Sequence, residues 1–179
     1  QPRFGEFVDR NADGVIDYKD RYFYKKSDPD VTMGLSTKLT YKNWDLGLGF
    51  RASLNNYAYN GVEAGDNMNT GMSRLYSGNT WHNTFKNELA KDWTSSSANA
   101  SCSDYFIQNA SFLKLDNITL GYSFNHIGKS KINGRVYATA QNVFTITKYK
   151  GLDPEIDGGY DNNVYPRPFT GILGVSLNF

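Results

Sequence analysis

The chain has 179 residues, a formal net charge of +1 and a mean hydropathy of −0.57. A charge this near balance points to no nucleic-acid or acidic partner, and no recognition helix, basic stripe or zinc-finger spacing is present. No run of about 18 apolar residues occurs, so no transmembrane helix is expected; a membrane β-barrel, which shows lipid only every second side chain, is not excluded by that test.

The chain begins Gln1-Pro2 without an initiator Met or a signal-like segment, as a fragment or processed chain would. Residues 1–33 are read as a long extracellular loop. Within it, Asp9-Arg10-Asn11-Ala12-Asp13-Gly14-Val15-Ile16-Asp17-Tyr18-Lys19-Asp20 has the spacing of an EF-hand-like calcium loop. The ligands would be Asp9, Asn11, Asp13, the Val15 carbonyl, Asp17 and Asp20, with Gly14 at the sharp turn that needs positive φ. A hard cation needs several oxygens brought together, and this stretch supplies them locally. Asp20 stands where Glu is usual, which shortens the last ligand. The competing reading is a polar turn whose side chains cap local N–H groups. No flanking helix pair is evident, so the expected role of a bound Ca2+ is to rigidify the loop.

Five segments then alternate with period two. In 34–42, Leu35, Thr37, Leu39 and Tyr41 oppose Ser36, Lys38, Thr40 and Lys42. In 44–54, Trp44, Leu46, Leu48, Phe50, Ala52 and Leu54 oppose Asp45, Gly47, Gly49, Arg51 and Ser53. A long loop, 55–111, follows. It holds Trp81, His82 and Trp93 with Tyr57, Tyr59 and Tyr76 nearby, and Phe85, Leu89 and Trp93 at helical spacing predict a short helix over 80–93. The aromatics are expected to pack within the loop; the functional alternative is stacking on sugar rings. The lone cysteine, Cys102, sits in a Ser-rich stretch and is read as a surface thiol, no intrachain disulfide being possible.

The third segment, 112–124, puts Ile118, Leu120, Tyr122 and Phe124 on one face, but Lys114 and Asp116 share that parity and are expected to lie above the lipid band. The fourth, 132–144, sets Ile132, Val136, Ala138, Ala140 and Phe144 against Asn133, Arg135, Tyr137, Thr139 and Gln141. A second long loop, 145–168, leads to the fifth, 169–179, ending in Phe179. Segments of about 9 to 13 residues exceed the usual soluble strand and suit a tilted bilayer crossing. Short and long connections alternate, as in outer-membrane barrels with tight periplasmic turns and large extracellular loops, which puts the C-terminus on the periplasmic side. The 13 Tyr, 11 Phe and 3 Trp, together with 17 Gly, agree with an aromatic-girdled barrel rich in turns. Five strands cannot close a barrel, so further strands are expected upstream or from another chain.

No catalytic constellation is visible. His82 and His126 lie far apart, and nucleophile-elbow, Walker and zinc-protease patterns are absent. Arg51, Arg135 and Lys38 on the polar faces are expected either to line a lumen or to pair with a plug or neighbouring strands. Trp81, Trp93, Arg51 and Arg135 are the candidate substrate contacts.

Several stretches resemble the late part of SusC/RagA-type TonB-dependent outer-membrane transporters. Asp9 to Ile16 followed by Asp20-Arg21 is similar to their D-x-N-x-D-G-x-I…D-R, and Ser27-Asp28-Pro29-Asp30 to their approach to a strand. Tyr41 to Leu46 is similar to Y-K-N-x-D-L, and Ser111 to Tyr122 to S-F-L-R-L-K-N-I-T-L-G-Y, with Lys114 and Asp116 in place of Arg and Lys. Gln141 to Glu155 is similar to Q-N-L-F-T-I-T-K-Y-K-G-x-D-P-E, and Tyr165-Pro166-Arg167-Pro168 completes the match. The loop 55–111 matches no such motif. The resemblance implies the C-terminal strands of an all-β, 22-stranded transmembrane barrel with an N-terminal plug. It also implies energy from the TonB complex through absent N-terminal parts, a SusD-like lipoprotein lid over the loops, and an oligosaccharide or sometimes a peptide as cargo. It implies no enzyme activity. The alternatives are a passive porin or structural barrel segment, and a secreted calcium-stabilised β-module.

Overall fold

The computed structural model describes residues 7–68, 76–77, 80–81, 103–125, 132–162 and 165–178. His82, Trp93, Cys102, His126 and Phe179 lie outside the described residues. In chain order the elements are β1 (Val31–Tyr41), β2 (Trp44–Leu54), β3 (Tyr57–Asn60), α1 (Gly61–Met68), β4 (Tyr76–Ser77), β5 (Thr80–Trp81), β6 (Ile107–Asn109), β7 (Phe112–Phe124), β8 (Asn133–Thr147), β9 (Tyr160–Asp161) and β10 (Thr170–Asn178). They fall into two units. One comprises Pro29–Asn55, Ala110–Lys148 and Tyr165–Phe179; the other comprises Gln1–Asp28, Asn56–Asn109 and Tyr149–Val164.

The first unit is a single five-stranded sheet in the order β1-β2-β7-β8-β10. Every pairing in it is antiparallel. β1 starts three residues before the expected Gly34, and β8 runs three past the expected Phe144 because Thr145, Ile146 and Thr147 find partners in Lys114, Leu113 and Phe112. The β1–β2 hairpin closes over Lys42 and Asn43, with Lys42 at φ 52°. Directly opposed residues in an antiparallel pair share a face, so the register defines rows across the sheet. Leu39, Leu46, Leu120, Ala138 and Leu173 form one, and Tyr41, Trp44, Tyr122, Val136 and Val175 the next, with the Trp44 and Tyr122 rings 4.8 Å apart.

These apolar rows are not a water-free centre. Leu120 is 47% exposed, Leu39 58% and Leu173 86%. A soluble sandwich would have covered them. Leaving them bare in water would forfeit about 25 cal/mol for each Å2 that burial removes from solvent, so this face calls for a lipid environment. Both β1 and β10 carry an unpaired edge among the described residues, and a membrane does not tolerate open edges. Further strands must continue the sheet on both sides.

The break in alternation within β7 has a local cause. Gly49 and Phe50 are neighbours on β2, but their partners Asn117 and Leu115 are separated by Asp116. β8 spans the same place with Asn142 and Val143, Asn142 standing at φ 52°. This β-bulge reverses the parity of β7 above it. Leu115 and Leu113 therefore join Phe50 and Ala52 on the apolar face, while Lys114 lies beside Arg51 on the polar one. The expectation that Lys114 and Asp116 sit on the apolar side above the lipid band is corrected: the bulge turns both to the polar side, where Asp116 meets Arg51.

The second unit is a small mixed assembly. β3 lies between β6, antiparallel, and β9, parallel. Phe106, Ala58 and Ala64 are buried in it. The Tyr59 ring stacks on Tyr160 at 5.3 Å and meets Phe106 edge-on at 6.1 Å. Asn60 begins α1 by accepting the Glu63 N–H at 2.9 Å through Oδ1, as an N-cap does. Thr80 and Trp81 pair with Ser77 and Tyr76 as a strand instead of opening the expected helix; 82–93, the rest of that segment, lies outside the described residues.

Candidate functional site

Among the described residues, the polar face of the five-stranded sheet carries the ion pairs Arg135–Asp45 and Arg51–Asp116. Arg135 Nε donates to Asp45 Oδ1 at 2.9 Å while its Nη2 reaches Oδ2, a bidentate fork. Arg51 binds Asp116 in the same manner, Nη2 to Oδ1 at 2.9 Å with a second bond from Nε to Oδ2. Both candidate arginines are thus satisfied by carboxylates on other strands of the sheet. Thr119 and Thr139 share a hydrogen bond of 2.8 Å between them. Two close approaches shape this face. A Cβ on Gly121 would lie 2.4 Å from Arg135 Nη2, and one on Gly174 would lie 2.1 Å from Tyr137 Cζ. The guanidinium and the phenol ring therefore rest directly on neighbouring backbone, with Arg135 Cζ 5.0 Å from the Tyr137 ring centroid.

The predicted metal loop lies in the other unit. Gly14 has φ 81° as the turn requires, and Ala12 also stands at positive φ, 60°. Gly14 N donates to Asp9 Oδ2 at 2.7 Å, Asp13 N to Asn11 Oδ1 at 3.0 Å and Val15 N to Asp13 Oδ1 at 2.9 Å. Asp20 closes the loop by accepting from Arg10 N at 2.8 Å and Asp17 N at 2.9 Å. These amide contacts, that of Asp17 foremost, hold the Asp20 carboxyl below the usual carboxylate range. The side chains are turned onto backbone amides, and among the described residues no three His, Cys, Asp or Glu side chains converge as a ready ligand set. One oxygen stands apart. Asp9 Oδ1 is buried without a hydrogen-bond partner among the described residues, an arrangement that costs free energy unless something positive satisfies it.

The same unit holds a buried polar network that the sequence did not signal. Tyr149 donates its hydroxyl to Asp161 Oδ2 at 2.6 Å, and burial, seconded by this bond, raises the phenol above its ordinary pKa. Gln108 donates to Glu63 Oε2 at 2.6 Å and accepts from Lys150 N at 3.1 Å. Tyr22 donates to Asp104 Oδ2, which raises the Tyr22 pKa, with the Arg10 guanidinium 4.1 Å from its ring centroid. Tyr24, Glu63, Asp104, Tyr105, Gln108 and Lys150 line a cleft of about 320 Å3. Of the sequence-derived candidates, Arg51 and Arg135 fall on the sheet, Trp81 sits in the β4–β5 hairpin, and Trp93 is outside the described residues.

No protein-family model matches the sequence. The chain is 51% identical over 177 residues to the TonB-dependent receptor SusC of Bacteroides thetaiotaomicron, an alignment covering 97% of this chain and 17% of SusC. It is 27% identical over 198 residues to TonB-dependent receptor P3 of Formosa agariphila, covering 97% of this chain and 19% of that protein. Its structure is similar to a solved structure of the RagAB peptide transporter, with a TM-score of 0.71, 25% identity, and coverage of 92% of this chain and 19% of that one. The chain thus spans under a fifth of the length of the curated relatives described here. These relatives are receptors and a transporter, not enzymes. An antiparallel sheet with open edges and an exposed apolar face, joined to this degree of identity, gives the family: the chain belongs to the SusC/RagA-type TonB-dependent receptors and forms part of the barrel of one.

Proposed function

We propose that the intact protein imports a nutrient across the bacterial outer membrane, driven through TonB, and that this chain supplies part of the barrel wall and its extracellular loops. The observation that carries this reading is the five-stranded sheet with a lipid-suited face on one side and paired charges on the other. An oligosaccharide is the favoured cargo, as the motif resemblance of the sequence implies, with peptide the alternative on the match to the RagAB peptide transporter. A SusD-like lipoprotein acting as a lid on the loops is part of the same proposal. The test is uptake by cells carrying the full-length receptor, with and without a functional TonB complex. Uptake that stops when TonB is removed supports the reading. Uptake that continues unchanged would make the protein a passive porin.

Asp9, Asn11, Asp13, the Val15 carbonyl, Asp17 and Asp20 are proposed to hold a structural Ca2+. The orphaned Asp9 Oδ1 and the positive φ of Gly14 support the fit. The cation would neutralise carboxylates crowded into one short loop and hold that loop rigid. Calorimetry on the intact receptor should register calcium uptake that Asp13→Ala abolishes; a wild-type protein that takes up none removes the proposal.

A further inference from the structure

We propose that the cleft lined by Tyr24, Glu63, Asp104, Tyr105, Gln108 and Lys150 is a subsite for one ring of a neutral, hydroxyl-rich sugar. At about 320 Å3 it lies at the small end of ligand pockets, which run from about 300 to 1,000 Å3. Its polar groups are held in place by one another. Gln108 is fixed at both ends of its amide, donating to Glu63 and accepting from the Lys150 N–H. Glu63 is only 8% exposed, and both hydrogen bonds it receives on its side chain, from Gln108 and Asn60, reach Oε2. Its Oε1 takes none among the described residues, and Glu63 is one of the residues that line the cleft. Asp104 is tied down through Oδ2 by Tyr22. The lining therefore brings two acidic residues, one glutamine and one lysine together with two tyrosines.

The chemistry of that set selects the ligand. Glu63 and Asp104 can only accept, the Lys150 ammonium can only donate, and Gln108 does both. A sugar hydroxyl donates and accepts at once, so a polyhydroxylated ring satisfies such a lining without carrying charge of its own. The C–H faces of a pyranose suit the Tyr24 and Tyr105 rings, while its hydroxyls lie in the ring plane toward the polar groups. A strongly anionic ligand would meet two carboxylates against one lysine. This inference rests on the import reading above and narrows it to a place and a chemical class.

The test uses the full-length receptor in detergent and calorimetry with neutral hexasaccharides of glucose, fructose and mannose units, and with an uncharged hexapeptide. Binding of at least one hexasaccharide is expected. Lys150→Met and Tyr105→Ala should each weaken it by about tenfold, the effect of losing one hydrogen bond to a charged group or one ring contact. Phe23→Ala, at a fully exposed ring outside the cleft lining, should leave it unchanged. Because Tyr105 packs against Phe106, Lys150→Met carries the test if Tyr105→Ala fails to fold. Sugar binding that survives Lys150→Met at wild-type strength overturns the subsite while leaving TonB-driven uptake intact. Cleft-dependent binding of the hexapeptide alone overturns the sugar class. Loss of TonB dependence refutes the import reading independently of either.

Discussion

Deleting Asp116 should leave every other residue of β7 on its present face. With the bulge closed, Leu115 becomes the neighbour of Asn117, so Lys114 and Phe112 stay on the polar side and Leu113 and Leu115 on the apolar side. The loss is the ion pair with Arg51. The Arg51 side chain is 47% exposed and that of Asp116 23%, so this pair is well screened and its removal costs about 1 kcal/mol or less. Deleting Thr119 is the informative contrast. The bulge survives, but one half of the strand must reverse. If the upper half turns, Leu113, Leu115 and Ile118 move to the polar side and Phe112, Lys114, Asp116 and Asn117 to the lipid side. Three apolar side chains lost at about 2 kcal/mol each, less about 2 kcal/mol regained by Phe112, with up to about 1 kcal/mol each for a lysine and an aspartate near the strand end, come to roughly 5–6 kcal/mol. Urea unfolding of the intact receptor folded into lipid vesicles, followed by tryptophan fluorescence and heat-shifted gel mobility, measures both variants. Equal damage from the two deletions, or a Thr119 deletion of wild-type stability, would refute the assignment of the bulge as the parity switch.

Gly174→Val should destabilise the barrel by about 1–3 kcal/mol, since its Cβ would fall 2.1 Å from the Tyr137 ring; adding Tyr137→Ala should recover part of that, which a double-mutant cycle in urea reads directly. Tyr149→Phe removes the donor to Asp161, a carboxylate only 3% exposed, and should loosen the loop unit by about 1–3 kcal/mol, seen as faster limited proteolysis of residues 149–162. The Asp20 carboxyl titrates lower in the folded loop than its unfolded value of about 3.9, so its contribution is complete above that value and disappears as pH falls through the folded one. Hydrogen exchange at the Arg10 and Asp17 amides should therefore show protection unchanged from pH 7 to pH 5 that declines only below about pH 4.

The sheet was legible because its signal is local and repeated. β2 and β7 occupy the segments expected from period-two alternation, and the lipid-facing rows follow from the same parity. Lys114 and Asp116 were misplaced because one inserted residue reverses every side chain beyond it, and neither has a composition that marks a bulge; the Asn142 left-handed turn on the neighbouring strand is the nearest thing to a sign. The loop unit was illegible for a different reason. Its strands are two to four residues long, too short for periodicity, and β3 pairs with β9 across a separation of about 100 residues that no local pattern records. The cleft draws its lining from four separate stretches of chain, so no motif announces it. The loop 9–20 is a different case. Its spacing is what suggests a cation there, a suggestion that remains a proposal, and the structure adds a detail spacing could not supply, an Asp9 oxygen without a hydrogen-bond partner among the described residues.

The two glycines beneath Arg135 and Tyr137 have a consequence for whatever the finished barrel encloses. Long polar side chains that stood upright would roughen the bore and narrow it. Laid against backbone, a guanidinium and a phenol add little more than their own thickness, and the paired charge is spent along the wall instead of across the opening. Whatever faces that side of the sheet then meets these two side chains lying flat, with the Arg135 charge already met by Asp45.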